Sequence, residues 1–359
     1  MSQDPRPPKR QRTSLSGEDS SENSAVGLKR SEEFWIEDGN IVLIASGETA
    51  FRVYRGLLAL QSTVFADLFA SSSPSAEERY DECPVIRLTD SPQDLAHLLR
   101  ALLPTSRASL YRSRGDPPLS IHQISAIVRL AHKYHVEDLL RQALSALKDT
   151  FTSSFKAFDE GFLDLPVNIN TMAPLSIAVV NLARLTETLA VLPLALYTCC
   201  GHGPTVIDGW ERDDGTTEYL SAADLKRCIG ARETLAKEAF SLVSAIFNPK
   251  PSNDCATPAP CHTALRMTLM KVLETDNVAE PWVLDPWAPF IRDNGQPEHG
   301  AGYCYACQRE LLERDIKERR RIWDRLPEIF DVEVPNWNEG PEPQGGQGGG
   351  ENPDANGGQ

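Results

Sequence analysis

Thirty residues, Asn40 to Phe69 (NIVLIASGETAFRVYRGLLALQSTVFADLF), constrain the fold of this chain more than any other stretch, because their apolar pattern changes period twice. The run Ile41-Val42-Leu43-Ile44-Ala45 is continuously apolar, as expected of a strand covered on both faces, and Ser46-Gly47-Glu48-Thr49 then supplies turn residues. A return strand follows in which Phe51 and Val53 share one face and Arg52 and Tyr54 take the other. After Gly56 the spacing becomes helical. Leu57, Leu58 and Leu60, then Val64, Phe65, Leu68 and Phe69, recur at i, i+1, i+4 and i+5, which predicts two short helices burying an aromatic-rich stripe.

The pattern continues into a short strand, Cys83-Pro84-Val85-Ile86-Arg87-Leu88. A helix opens with Ser91 as N-cap, Pro92 at the first helical position and Asp94 in the first turn, with Leu95, Leu98, Leu99 and Leu102 on its inner face. Pro104 to Leu119 carries Arg107, Arg112, Arg114, Gly115, Pro117 and Pro118 and is expected to be an exposed loop. Ser120-x-x-Gln123 is a capping box for a helix bearing Ile121, Ile124, Ile127, Val128, Ala131 and Tyr134. A further helix, Val136 to about Thr150, carries Leu139, Leu140, Leu144 and Leu147.

These residues resemble the BTB (POZ) domain family, whose pattern is Asp-Val-x-Leu, a turn, Phe-x-Val-His-(Lys/Arg), then Leu-x-x-x-Ser-x-x-Phe-x-x-(Met/Leu)-Phe. Leu43, Phe51, Val53, Arg55, Leu58, Ser62, Phe65, Leu68 and Phe69 carry the likeness, with Ile41 at the Val position. The closing helices resemble the family's Leu-Ala-x-Lys-Tyr-x-(Val/Ile)-x-x-Leu through Leu130, Ala131, Lys133, Tyr134, Val136 and Leu139, so the likeness covers roughly residues 33 to 150. The chain departs from the pattern at two positions. Asn40 stands where the family usually has Asp, with Asp38 two residues earlier, and Tyr54 replaces the usual His. Both positions lie where BTB dimers often build a charged pocket. The resemblance implies a protein-interaction platform that self-associates or docks a scaffold, with a core formed by Leu43, Phe51, Val53, Leu58, Phe65, Leu68 and Phe69.

From residue 151 onward the apolar spacing is almost entirely helical: Pro174 to about Leu189, Pro193 to Cys200, Ser221 to Phe247, Thr263 to Leu273 and Tyr305 to Leu326. Glu280-Pro281-Trp282-Val283-Leu284-Asp285-Pro286-Trp287 reads as an irregular crossing whose indoles cover a core. Glu310/Arg314 and Glu313/Lys317 are i, i+4 pairs of favourable orientation, suited to a solvated face. This half resembles the C-terminal region of large fungal families of BTB proteins in its Cys-x-x-Cys, its Arg-rich helix and its Ile-Trp-x-x-Leu-Pro ending. The expected class is α+β. Residues 32–150 form a BTB/POZ domain of a small sheet with surrounding helices, and residues 151–337 form a mostly α-helical domain. Residues 1–31 are expected to be a disordered tail poor in apolar side chains, and residues 338–359 a flexible Gly/Gln-rich one.

With 359 residues, of which 41% are hydrophobic, the chain can build two cores. Its net charge of -15 argues against a nucleic-acid-binding surface as its main purpose, since a polyanion needs many Lys and Arg on one face. The N-terminus has no apolar signal region, and no stretch approaches the roughly 20 apolar residues of a membrane span. An intracellular protein, cytoplasmic or nuclear, is therefore expected, with reduced thiols. Pro8-Lys9-Arg10-Gln11-Arg12 is a short basic cluster of the kind read by nuclear import receptors.

One constellation has metal-like spacing: Cys255-x5-Cys261 with Cys304-x2-Cys307. Four thiolates suit structural zinc. Free buried thiols and redox chemistry remain alternative readings, and His262 is an alternative to Cys261. Cys199-Cys200-Gly201-His202 has no orienting acid or oxyanion loop nearby in sequence and reads as packing at a helix end. His132-x2-His135 lacks a third ligand and reads as surface or cap. There is no Gly-rich phosphate loop, no Gly-x-Ser-x-Gly and no His-Glu-x-x-His. The chain is thus expected to be an interaction adaptor and not an enzyme. Resemblance implies two routes, a substrate adaptor on a cullin ubiquitin ligase or a homodimeric nuclear regulatory scaffold. A cysteine-dependent enzyme is the competing class.

Overall fold

The structure, a computed structural model, describes residues 27–71, 78–103, 119–161, 169–274, 282–295 and 302–338. The Lys9–Arg12 cluster, most of the expected loop after Pro104 and the C-terminal tail beyond Asn338 lie outside these residues. The described residues divide into two compact units, one holding those up to Leu60 and those between Phe65 and Pro92, the other holding Gln61–Val64 and those from Gln93.

A five-stranded sheet organises the first unit. Its strands are β1 (Lys29–Trp35), β2 (Ile41–Ile44), β3 (Thr49–Val53), β4 (Arg79–Tyr80) and β5 (Cys83–Arg87), in the order β1-β3-β2-β5-β4. β2 is central and pairs antiparallel with β3 and parallel with β5, which is why its four side chains are all buried and why its sequence is apolar without alternation. Val42, Ile44, Ala50 and Cys83 form a core on one face, with Leu28, Trp35, Tyr80 and Val85 packed against it. The opposite face carries Ile41, Leu43, Phe51 and Val53, all buried. The turn between β2 and β3 needs left-handed backbone at Gly47 (φ 74°), where a glycine meets no steric penalty. Helices α1 (Arg55–Gln61) and α2 (Thr63–Ser71) follow.

The stripe expected across α1 and α2 is only partly buried. Leu58, Phe65 and Phe69 are buried and Leu68 is half-buried, but Leu60 is 83% exposed. Leu58 and Leu60 lie two residues apart on α1, about 200° round the helix, so Leu60 points away from the face that holds Leu58. β1 begins at Lys29, within the segment expected to be tail. Its sequence, KRSEEFW, carries almost no apolar signal, and its parallel pairing with β3 brings it into the sheet.

α3 (Pro92–Leu102) buries Leu95, Leu98, Leu99 and Leu102, as its spacing predicts. α4 (Ile121–Lys133) opens with the expected capping box: the Gln123 N–H donates to Ser120 Oγ at 3.2 Å, and the Ser120 N–H donates to Gln123 Oε1 at 2.9 Å. Ser120→Ala is expected to cost about 1 kcal/mol in urea unfolding, since two orphan helix donors lose their geometry together. α5 (Glu137–Thr150) packs on α4, and α4 in turn packs on α7 (Ile169–Leu185). Sequence spacing thus divides the chain near residue 150, whereas packing carries α4 into the helical region.

The remaining elements are α6 (Phe155–Gly161), α8 (Leu192–Cys200), the hairpin β6 (Trp210–Glu211) and β7 (Thr217–Glu218), α9 (Ala222–Ile246), α10 (Pro258–Leu273), α11 (Ala288–Asn294), α12 (Tyr305–Asp324) and α13 (Leu326–Ile329). α8 is buried along its whole length and lies between α7 and α9. α12 packs along α9, where Glu238 receives Arg321 at 2.7 Å and pairs with Arg325. The indoles cover a core as expected: Trp282 stands edge-on to Tyr197 and Trp287 edge-on to Phe247. The hairpin is fastened by charge. Arg212 pairs with Asp94 and with Glu218 (3.3 Å), and Arg129 reaches Glu218 at 2.6 Å. Arg314 does meet Glu310 (3.2 Å), but it also donates to the carbonyls of Ile246, Asn248 and Lys250, so it holds the end of α9 and does not merely face water. Glu313 meets Arg309 at 3.7 Å.

Candidate functional site

Two places among the described residues gather chemistry. The first is the region where the BTB pattern is broken. Tyr54 follows β3 and donates its hydroxyl to Asp38 Oδ1 at 2.6 Å, so the displaced acid and the residue replacing His are partners. This bond to Asp38 raises the Tyr54 phenol above its ordinary value and keeps the hydroxyl a donor. Asn40 accepts the Arg55 N–H at 2.8 Å and so holds the entry to α1. The Arg55 guanidinium reaches the Phe69 carbonyl at the end of α2 and lies over the Phe69 ring, 5.4 Å from its centroid. Where the family pattern places His, this chain has a phenol bonded to an acid two residues before the usual Asp position, which Asn40 holds. Ser62 is buried and donates to the Tyr134 carbonyl at 2.5 Å, so two residues from widely separated parts of the pattern meet.

The second place is the cysteine constellation. Cys255 comes from the loop before α10, Cys261 from the first turns of α10, Cys304 is the N-cap of α12 and Cys307 sits in its first turn. The four sulphur atoms all lie within 4.8 Å of one another, with those of Cys304 and Cys255 3.6 Å apart. Cys261 and Cys307 are buried; Cys255 and Cys304 are half-buried. His262 is exposed and outside the set, because a step of one residue on α10 turns its side chain about 100° away from Cys261.

Burial raises the Cys304 thiol, but the Cys307 N–H and the neighbouring thiols outweigh it and bring the thiol down to about 7. Cys307 is pushed up to about 12, first by burial. Arg309 in α12 pairs with Asp254 of the loop at 3.0 Å, closing the rim of the cluster with a contact that the cysteine spacing does not reveal. Four sulphurs at this separation suit one tetrahedral ion and leave no position for a substrate.

The other candidates do not assemble into sites. Cys199, Cys200 and Cys228 are buried, and Cys199 lies 3.0 Å from Ser176 Oγ. Burial pushes the Cys199 thiol up, and a bond with Cys228 together with burial does the same to Cys200, so neither is a ready nucleophile. A Cβ on Gly201 would lie 1.9 Å from the Trp282 ring, which makes this tetrapeptide a tightly packed helix end. His132 and His135 are both exposed and belong to no metal-sized group among the described residues.

No described helix is long and apolar enough to cross a membrane. No curated protein and no solved structure matches the chain. Residues 39–150 match the family model for the BTB/POZ domain. That segment holds the central strand β2, both positions that break the pattern and the Ser62–Tyr134 bond. The chain therefore carries a BTB/POZ domain, a protein-interaction module built from a small sheet and helices, followed by a helical C-terminal region.

Proposed function

We propose that this chain is an interaction adaptor whose BTB/POZ domain self-associates or docks a cullin scaffold, while the helical region selects a second protein. The observation that carries the proposal is the BTB/POZ match over residues 39–150. Leu60, 83% exposed on α1, is a side chain that self-association through this helix would bury, which makes it the residue to test. Proteins are the partner class. The charge of -15 argues against nucleic acid as the partner.

The test is a binding titration of the full chain against the N-terminal region of a BTB-binding cullin, with the mass of the free chain read by sedimentation equilibrium. Micromolar or tighter binding is expected, with a dimeric free chain that Leu60→Glu shifts to monomer. A folded, monomeric chain that does not bind would remove both routes. A dimer that does not bind would instead favour the nuclear scaffold, for which the Lys9–Arg12 cluster is the supporting sequence feature.

A further inference from the structure

We infer that Cys255, Cys261, Cys304 and Cys307 hold one zinc ion that ties the loop before α10 to the start of α12. This goes beyond the interaction reading and does not depend on it. With zinc–sulphur bonds of about 2.3 Å, a tetrahedron spaces its sulphurs about 3.8 Å apart. The pair at 3.6 Å is already at that spacing, and the upper limit of 4.8 Å requires only a small contraction. A disulfide requires sulphurs about 2.05 Å apart, so the 3.6 Å pair is in non-bonded contact. Clusters of several irons need their ligands spread round a larger core.

Backbone N–H groups beside the cluster point at its sulphurs. The Ser252 N–H donates to the Cys307 sulphur at 3.4 Å and the Cys304 N–H to the Cys261 sulphur at 3.3 Å. Both buried sulphurs therefore receive a backbone N–H. A neutral thiol is a weak acceptor, and N–H groups aimed at sulphur suit thiolates. The donors also come from both segments: Ser252 of the loop serves a cysteine of α12, and Cys304 of α12 serves a cysteine of α10. The start of α12 adds favourable helix-end polarity beside an anionic centre. Loading displaces the protons still held by the four sulphurs, so occupancy falls as pH falls. Four protein ligands close the coordination sphere, which makes the role structural.

The test uses the full chain expressed with added zinc and purified without chelator. Elemental analysis by plasma mass spectrometry is expected to give about one zinc per chain, falling to background in Cys261→Ser and Cys307→Ser. Chelation is expected to lower the melting temperature, and added zinc to restore it. Should those variants fail to fold, cobalt(II) exchanged into the unmodified chain is the second readout, with the intense visible absorption of a tetrahedral tetrathiolate expected. A folded chain that holds no zinc and takes up no cobalt would overturn the inference, as would full zinc content in Cys255→Ser. Iron in place of zinc would overturn the assignment of the metal.

Discussion

Arg319→Ala is expected to cost about 3–5 kcal/mol of stability, the cost of breaking one side of a buried ion pair. Arg319 lies in α12 at 2% exposure, and both its Nε and its Nη2 donate to Asp315 at 3.1 Å. Asp315, one turn earlier, is 1% exposed. Arg319 also reaches Asp159 of α6 at 2.6 Å, and its guanidinium lies over Phe155, so one side chain fastens α6 to α12. Without it, among the described residues, Asp315 keeps the Trp287 N–H, at 3.4 Å. Burial already raises the Asp315 carboxyl above its ordinary value, and Arg319 is the main force pulling it down. In the variant the carboxyl rises further. A folded-state value above the unfolded one means stability that is full at low pH and lost as pH rises, so the deficit should be largest at neutral pH and shrink toward pH 4. Urea unfolding of the two proteins between pH 4 and 7.5 checks this. A loss below about 1 kcal/mol, as for an exposed pair, would show that the contact is not part of the core.

Asp285→Asn is expected to do the opposite and stabilise the protein at neutral pH. Asp285 Oδ1 is shut off from solvent and has no hydrogen-bond partner among the described residues. Burial raises its carboxyl to about 6 from 3.8, against the pull of Arg319. With the folded value above the unfolded one, the favourable contribution is full below about 3.8 and is lost as pH rises through about 6. The ionised carboxylate is therefore a cost at pH 7. At ~1.36 kcal/mol per unit the gain from removing that charge is capped at about 3 kcal/mol, and the solvent reached by the rest of this half-buried residue reduces it to about 1–2 kcal/mol. The gain should disappear by about pH 4, where wild type is itself protonated. Equal or lower stability of Asp285→Asn at pH 7 would mean that the carboxylate has a compensating partner.

The sequence was most informative where one local cause determines the structure. β2 was readable because burial on both faces leaves no polar position, and α4 because its capping box is complete within four residues. β1 was not, since its charged residues join the sheet only through parallel pairing with β3, a contact absent from local periodicity. The β6–β7 hairpin left a trace in Asp214-Gly215, where Gly215 takes a φ of 77°, but its strands of two residues are too short for a period to emerge. Leu60 was counted in the helical stripe in sequence but lies outside it in structure, because a spacing of two residues on α1 sets it about 200° from buried Leu58.

The cysteine spacing named the four residues whose sulphur atoms the fold gathers within 4.8 Å of one another. It could not choose between Cys261 and His262, because that choice depends on which way α10 presents its first turns. The Tyr54–Asp38 bond was equally out of reach: an acid two residues before its usual position and a phenol in place of His, seen separately in sequence, meet in space.

X-ray absorption at the zinc edge of the full, chelator-free chain tests the four-thiolate centre most directly. A first shell of four sulphur atoms at about 2.3 Å, with no lighter scatterer, is the expected result. Nitrogen or oxygen in that shell, or a folded chain with no zinc to absorb, would contradict a closed centre joining the loop before α10 to α12.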